Sequence, residues 1–136
     1  MDETVSSDSI APESTLQRLR ELRRALLHLH KALLDRERDD YEQAFGRVSS
    51  GEMLQLVISH EQFAWLHSIS ELIVRIDELL DAQEPATVGD AESLLTQTRT
   101  LLRPSETGND FERKYHAVIQ RDPNAVLAHG EVTKIL

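Results

Sequence analysis

The fold is decided by residues 16–45, LQRLRELRRALLHLHKALLDRERDDYEQAF. Apolar side chains recur in this stretch at intervals of three and four, which is the spacing of one face of an α-helix. The stripe consists of Leu16, Leu19, Leu22, Leu26, Leu29, Leu33, Leu34, Tyr41 and Phe45, and it continues at Val48. Ser14 and Gln17 have the spacing of a capping box, so we predict a helix from Thr15 to about Gly46.

A second helix is predicted to start at residues 49–52 and to reach about Asp81. Its first half, from Met53 to Leu66, is apolar nearly all round, whereas a helix that faces water on one side needs only one apolar face. We therefore expect this half to lie between the first helix and a further apolar surface. If the two stretches fold back on each other about the turn at residues 47–50, they form a long antiparallel hairpin.

Three shorter helices are predicted to complete the bundle, over residues 90–102, from Asp110 onward, and over residues 125–135. The fold class is therefore all-α, a long antiparallel helical hairpin plus three shorter helices. We expect a single helical-bundle domain over residues 14–136. The acidic, serine-rich residues 1–13 are predicted to form a disordered tail.

Composition narrows the possible functions of this 136-residue chain. A formal net charge of -9 does not fit a general nucleic-acid binder, which needs a basic surface. The chain has no cysteine, which excludes disulfides, thiolate metal sites and cysteine catalysis. No apolar run approaches the length that a membrane span requires. We expect a cytoplasmic protein that does not associate with membranes.

Four polar side chains fall on the faces where the hairpin should be apolar: His30, Glu37, His60 and His67. His30 and Glu37 are one heptad apart in the first helix, and His60 and His67 are one heptad apart in the second. Closing the hairpin about its turn predicts that His30 faces His67 and that Glu37 faces His60.

Three interpretations of these four residues follow from their chemistry. In the first, they form a buried hydrogen-bonded network that sets the register of two leucine-rich helices. In the second, they bind a metal ion, or His30 and His67 hold a haem, since imidazole and carboxylate suit several transition metals. In the third, they form the acid–base site of an enzyme without a cofactor. We expect the structural network, without catalysis, and assign no cofactor.

A second set of residues forms an apolar stripe on the second helix, and the three later helices are too short to cover both long helices. This stripe is Ile58, Trp65, Ile69, Leu72 and Ile76. It is predicted to be either a two-fold dimer interface or the surface that the carboxy-terminal helices cover. We expect a homodimer that acts as a small binding or regulatory protein and that can also bind another protein.

Overall fold

The computed structural model describes residues 6–136, and the regular structure in this range is helical. The prediction of an all-α fold is confirmed. The elements are α1 (Glu13–Phe45), α2 (Ser50–Ser59), a 3-10 segment (Glu61–Leu66), α3 (His67–Asp81), α4 (Val88–Leu101), α5 (Asp110–Arg121) and α6 (Pro123–Ile135). None of these helices is both long and apolar enough to cross a bilayer.

Helix α1 follows the predicted leucine stripe closely. The buried residues of the helix are Leu19, Leu22, Ala25, Leu26, Leu29 and Leu33. Leucine and alanine are strong helix formers, so local preference and burial favour the same conformation. The helix ends at Gly46, whose φ of 92° lies in a region that residues with a Cβ rarely adopt. The glycine therefore marks the point where the chain turns away from α1.

The second arm is not the single helix that we predicted. His60 has extended backbone dihedrals, φ -86° and ψ 133°, which end α2 and separate it from the 3-10 segment. The Gln62 backbone N–H donates to the imidazole Nδ1 of His60 at 3.1 Å, so this side chain caps the 3-10 segment. Four consecutive polar residues, 59–62, lie at the break, but the longer polar run of residues 35–40 lies inside the continuous helix α1, so polarity alone could not reveal the break.

Helix α3 runs antiparallel to α1, and the 3-10 segment extends along the same side of it. Three side-chain contacts define the register: Arg23 with Asp77, His30 with Ser70, and Glu37 with Gln62. Residue numbers rise along α1 as they fall along its partner, which is the signature of antiparallel chains. The register is thus consistent over most of the length of α1.

Helix α1 packs extensively against α6 as well as against α3. Polar contacts tie the seam between α1 and α6 along its length: Arg18 Nε to the Ile135 carbonyl at 2.8 Å, His28 to Glu131 at 3.2 Å, and Arg36 to Asp122 at 3.9 Å. The carboxy-terminal helix therefore covers much of the surface that α1 does not present to α3.

The three shorter helices begin at residues with capping side chains. Thr87 and Asp90 form a capping box that starts α4 two residues before the predicted boundary. Helix α5 begins at Asp110, the predicted start, and is capped by Asn109. The Asp122 carboxylate accepts two backbone N–H bonds at the start of α6, where proline occupies the first helical position.

The chain before α1 makes backbone contacts with the start of α4. The Ala11 N–H donates to the Ala86 carbonyl, and the Val88 N–H donates to the Ser9 carbonyl, both at 2.8 Å. These bonds flank an isolated antiparallel bridge between Ile10 and Thr87. The predicted tail over residues 1–13 therefore includes a segment with defined hydrogen bonds, and residues 1–5 lie outside the described range.

Candidate functional site

Of the four polar residues singled out by the sequence, His30, Glu37 and His60 are half-buried and His67 is exposed, and each has its own partner. The hydroxyl of Ser70 and Nε2 of His30 are 3.1 Å apart. The amide of Gln62 donates to the Glu37 carboxylate at 2.9 Å. His67 bonds through Nε2 to the backbone carbonyl of Val57 at 2.9 Å. The residues therefore do not form the predicted pairs.

The observed register differs from the predicted one by two to three residues, which is less than one helical turn. His30 was expected to face His67 and instead meets Ser70, which lies three residues further along α3. Glu37 was expected to face His60 and instead meets Gln62, two residues further along. The shift toward higher numbers means that the chain uses more residues to return along α1 than a hairpin folded directly back at residues 47–50 would use, which fits an α2 that buries only Met53 and does not pack along α1.

His30 is half-buried between α1 and α3. Burial lowers the pKa of its imidazole, and the neighbouring His67 lowers it further because two positive charges would repel. Ser70 and His67 are three residues apart on α3 and therefore share a face. Through its contact with Ser70, His30 is thus placed beside a second imidazole. The neutral form of His30 is the one that this arrangement favours.

Glu37 carries the carboxylate at the contact between α1 and the 3-10 segment. Burial raises its pKa, and this effect is opposed by the hydrogen bond from Gln62. The nearby Asp40 raises the pKa further. The Gln62 amide also donates to the Glu37 backbone carbonyl at 3.0 Å, so a single side chain holds both groups. A half-buried carboxylate satisfied in this way supports packing.

Two histidines flank the 3-10 segment. His60 caps the segment and packs edge-on against Tyr41 of α1, with ring centroids 5.5 Å apart. His67, the first residue of α3, bonds to the last turn of α2. This bond connects α2 with the body of the bundle.

The structure does not bring the predicted metal ligands together. Within residues 6–136, no group of three or more His, Asp or Glu side chains is arranged to hold a metal ion. Nε2 of His30 contacts Ser70, and Nε2 of His67 contacts a carbonyl, so the two nitrogens do not converge on the position of a haem iron. The polar residues of the seam instead bond to neighbouring groups of the same chain.

Most of the predicted dimer interface lies inside the single chain, which corrects that assignment. Four of the five residues are buried in the core: Trp65, Ile69, Leu72 and Ile76. The ring of Phe111 from α5 packs against Trp65 with centroids 5.3 Å apart. Helices α1, α4 and α5 together enclose this stripe, so it is covered within the single chain. Of the predicted five, only Ile58 is exposed.

Three of the large apolar side chains that are exposed in the described part of the chain lie on α2 and at the end of α1. Phe45 is 72% exposed, Leu54 is 58% exposed and Ile58 is 61% exposed. Leu54 and Ile58 are four residues apart and share one face of α2. We call these three residues the α2 surface. Within α2, all of which is described, only Met53 is buried. The expectation that residues 53–66 lie between the first helix and a further apolar surface is wrong for α2 and agrees only with the 3-10 segment, which buries Phe63, Trp65 and Leu66.

The sequence pattern missed Ser70 and Gln62, which bond to His30 and Glu37 respectively. A serine or glutamine at the polar edge of a helix carries no signal of burial, so only the three-dimensional register identifies these partners. The pattern also assigned Phe45 to the stripe of α1, although the chain turns at Gly46 and leaves the ring exposed.

Comparisons with known proteins identify no relative. No protein-family model matches the chain, and no curated protein and no solved structure is significantly similar to it. Any functional conclusion therefore rests on the geometry and chemistry of the chain itself.

Proposed function

We propose that this chain is a small non-catalytic protein-interaction module that self-associates through the α2 surface. The proposal keeps the predicted homodimer and moves its interface from α3 to α2. The observation that carries it is the exposure of three large apolar side chains on one short helix and its flank: Phe45, Leu54 and Ile58.

The exposure of these side chains leaves a sizeable free energy available for association. Burying a leucine, isoleucine or phenylalanine side chain completely is worth about 1.5–3 kcal/mol. A partner that covers the α2 surface would recover part of this energy from each residue. Grouped exposed apolar residues of this kind are typical of interaction sites, whereas single exposed ones are common on any protein.

Charge favours a second copy of this chain as the partner. Residues 43–60 contain one arginine and one glutamate, Arg47 and Glu52, whereas the whole chain carries a net charge of -9. Two acidic molecules repel least where their surfaces are neutral. A basic partner would instead be drawn to the acidic surfaces outside this segment. In a two-fold dimer, the same neutral patch meets itself.

The size of the α2 surface indicates a modest affinity. Helix α2 has ten residues, and a helix of that length spans about 15 Å. A contact of this extent falls toward the lower end of the range for specific interfaces, so we expect a dissociation constant that is roughly micromolar. Such a dimer exchanges readily and suits a binding or regulatory role in the cytoplasm.

The polar residues of the seam favour a non-catalytic role. His30, Glu37 and His67 each bond to a neighbouring group of the chain, and His60 caps a backbone N–H. Side chains engaged in this way stabilise the register of the helices. An acid–base mechanism would need such a group to be directed at a substrate instead.

Sedimentation equilibrium over a range of concentrations tests the proposal. We expect the 15.5 kDa chain to approach twice its mass as concentration rises through the micromolar range. Ile58→Glu places a charge on the α2 surface and should keep the protein monomeric with its helical circular dichroism unchanged.

The matched control is Leu127→Glu on α6, where the leucine is 69% exposed. This variant should dimerise as the native chain does. A native chain that stays monomeric at high concentration contradicts the proposal, as does a dimer that Ile58→Glu leaves intact. Dissociation caused equally by the control would move the interface away from α2.

A further inference from the structure

We infer that the two-fold axis of the proposed dimer passes beside Gly51, where the α2 helices of the two copies cross at close range. The inference rests on the proposed function and adds to it the residue that sets how the two copies meet. The observation that carries it is an exposed helical glycine that the described part of the chain does not itself require.

Helix α2 has an inward and an outward face. Met53 is the buried residue of the helix and marks the inward face. Gly51, Leu54 and Ile58 follow one another at intervals of three and four residues, and all three are exposed. Residues at this spacing lie on one side of a helix. The outward face of α2 is therefore an uncharged strip that has a glycine at its amino-terminal end.

Neither the conformation nor the packing of the chain requires glycine at position 51. Among residues 6–136, Gly46 is the only glycine with a positive φ, so Gly51 has a backbone that other residues adopt freely. A Cβ at position 51 would meet no heavy atom of the described chain within 4 Å, apart from its chain neighbours and the backbone of its own helix. At Gly89, by contrast, a Cβ would lie 2.9 Å from the Cβ of Ser7. Glycine weakens a helix relative to alanine, so a contact outside the single chain is the explanation for Gly51 that remains.

Gly130 of α6 has equally open surroundings in the described chain, but its face carries a charge. A Cβ at position 130 would also meet no heavy atom within 4 Å. Lys134 lies four residues further along the same face and is exposed, so a two-fold contact centred on Gly130 would bring two lysines together. Gly130 is therefore a matched control for Gly51 and not a second crossing point.

The position of Gly51 within the α2 surface places it at the two-fold axis. Phe45 precedes Gly51 along the chain, whereas Leu54 and Ile58 follow it. In an isologous contact the surface meets itself at the axis, and groups on one side of the axis meet groups on the other side in the second copy. An axis beside Gly51 thus brings Phe45 of one copy to Leu54 and Ile58 of the other. Glycine at the crossing lets the helix axes approach to the lower end of their usual separation of about 8–10 Å, which buries more of these flanking side chains.

The charge at the start of α2 is compatible with this crossing. A crossing in the first turn brings together the amino-terminal ends of two helices, whose partial positive charges repel. Glu52 lies in the first turn of each α2 and offsets that charge. The contact between the two copies is therefore close to neutral.

Gly51→Ala tests the crossing because its effects on folding and on association have opposite signs. Alanine strengthens the helix, whereas its methyl group holds the crossing helices apart. We expect the dissociation constant from sedimentation equilibrium to rise about tenfold or more, with helical circular dichroism retained. A dissociation constant that Gly51→Ala leaves unchanged would overturn the crossing.

Two controls accompany this variant. In the monomeric Ile58→Glu background, Gly51→Ala should leave the thermal midpoint of unfolding unchanged or higher. A lower midpoint would mean that the glycine has a role within the chain, and the inference would be wrong. Gly130→Ala should leave the dissociation constant unchanged, and a rise equal to that caused by Gly51→Ala would also contradict the crossing at Gly51.

Cysteine cross-linking tests the position of the axis directly, since the native chain has no thiol. A residue beside a two-fold axis faces its own copy, and Cα atoms that face each other across helices packed about 10 Å apart are about 5 Å from one another. Disulfides span about 4.4–6.8 Å between Cα atoms. Gly51→Cys should therefore form an intermolecular disulfide on mild oxidation, whereas Gly130→Cys should not. No cross-link at position 51, or equal cross-linking at both positions, contradicts the inference.

The outcomes separate this inference from the proposed function. If the native chain dimerises and Ile58→Glu abolishes the dimer, but Gly51→Ala has no effect and Gly51→Cys does not cross-link, the α2 surface stands and the crossing at Gly51 is wrong. If the native chain stays monomeric throughout the concentration range, the proposed function fails and the crossing fails with it.

Discussion

Polar side chains set into a leucine-rich seam are costly unless they are satisfied, and here each has a defined partner. The amide of Gln62 donates a hydrogen bond to the Glu37 carboxylate, and Ser70 forms a hydrogen bond with His30. These polar contacts favour one register between the helices, since leucine stripes alone allow two helices to slide by a turn. The observed register differs from the expected one by two to three residues, somewhat less than that interval.

A double-mutant cycle distinguishes the observed register from the one predicted from the sequence. We expect Glu37→Gln and Gln62→Leu to be coupled in their effects on the free energy of unfolding, because these side chains share a hydrogen bond. Glu37→Gln and His60→Leu should instead add to within about 0.5 kcal/mol. Urea denaturation of the single and double variants measures both. Coupling confined to the Glu37 and His60 pair would restore the register predicted from the sequence.

The stability of the chain should fall on the acid side of neutrality. Burial lowers the pKa of His30, with a further contribution from His67, and burial lowers the pKa of His129. A histidine whose pKa is lower in the folded state binds a proton more readily when unfolded. Its stabilising contribution is present above the unfolded pKa of about 6.5 and is lost as pH falls toward the folded value.

Glu37 acts in the opposite direction, since its raised pKa makes the folded state more stable when the carboxyl is protonated. That gain appears only at more acidic pH. We therefore expect the free energy of unfolding from urea titrations to decrease between about pH 7.5 and about pH 5.5. The variant His30→Gln should show a shallower decrease, and an unchanged slope would remove His30 as a cause.

At the scale of the elements, local signals and observed boundaries agree best where capping side chains are present. Helices α4, α5 and α6 each begin at a residue whose side chain accepts backbone N–H bonds. The break at His60 has a cap of the same kind, supplied by an imidazole. Histidine is a rare capping residue, so that boundary is invisible to the usual rules for helix starts.

The cap of α6 offers a quantitative test at this scale. Asp122→Ala should lower the free energy of unfolding by about 1–2 kcal/mol, because it removes the acceptor of two backbone N–H bonds. Asp122→Asn keeps a capping oxygen and should lose less, with the difference reflecting the charge near Arg36. Thermal or urea unfolding measures both variants. Equal losses would mean that the charge, and not the cap, stabilises α6.

At the scale of the whole molecule, the second arm divides into a buried part and an uncovered part. Helix α3 lies in the core between α1, α4 and α5, whereas α2 has a single buried residue. The prediction of a stripe available for dimerisation treated the two parts as one helix. The break at His60 separates them and leaves only Ile58 of that stripe exposed.

Substitutions at one buried and one exposed residue of α3 test which face of the helix lies in the core. Ile69 is fully buried, and Ile69→Ala should lower the free energy of unfolding by about 2–5 kcal/mol. Val74 is half-exposed on the same helix, so Val74→Ala should change it by only about 0.5 kcal/mol. Urea unfolding at a concentration where Ile58→Glu is monomeric measures both. A small effect of Ile69→Ala would reopen the assignment of this residue to an interface.

The leucine spacing of α1 predicts its length and buried face, because helix periodicity is a local property of the chain. The same reasoning predicts the later helices to within a few residues. It groups His30, Glu37, His60 and His67 on one face, whereas in the structure each bonds to a different neighbour and His67 is exposed. It cannot predict that Gln62 and Ser70 bond to Glu37 and His30, since those bonds depend on the register between distant segments.

The amino-acid sequence alone therefore determines the helical class, the long amphipathic first helix and the polar residues of its seam, all of which arise from neighbours along the chain. Tertiary structure alone decides which apolar stripe is buried and which stays uncovered. The physical reason is that a residue is buried only where another element of the chain packs over it. The closure of α5 over Trp65, and the single extended residue His60 that turns α2 outward, are not contained in any local pattern.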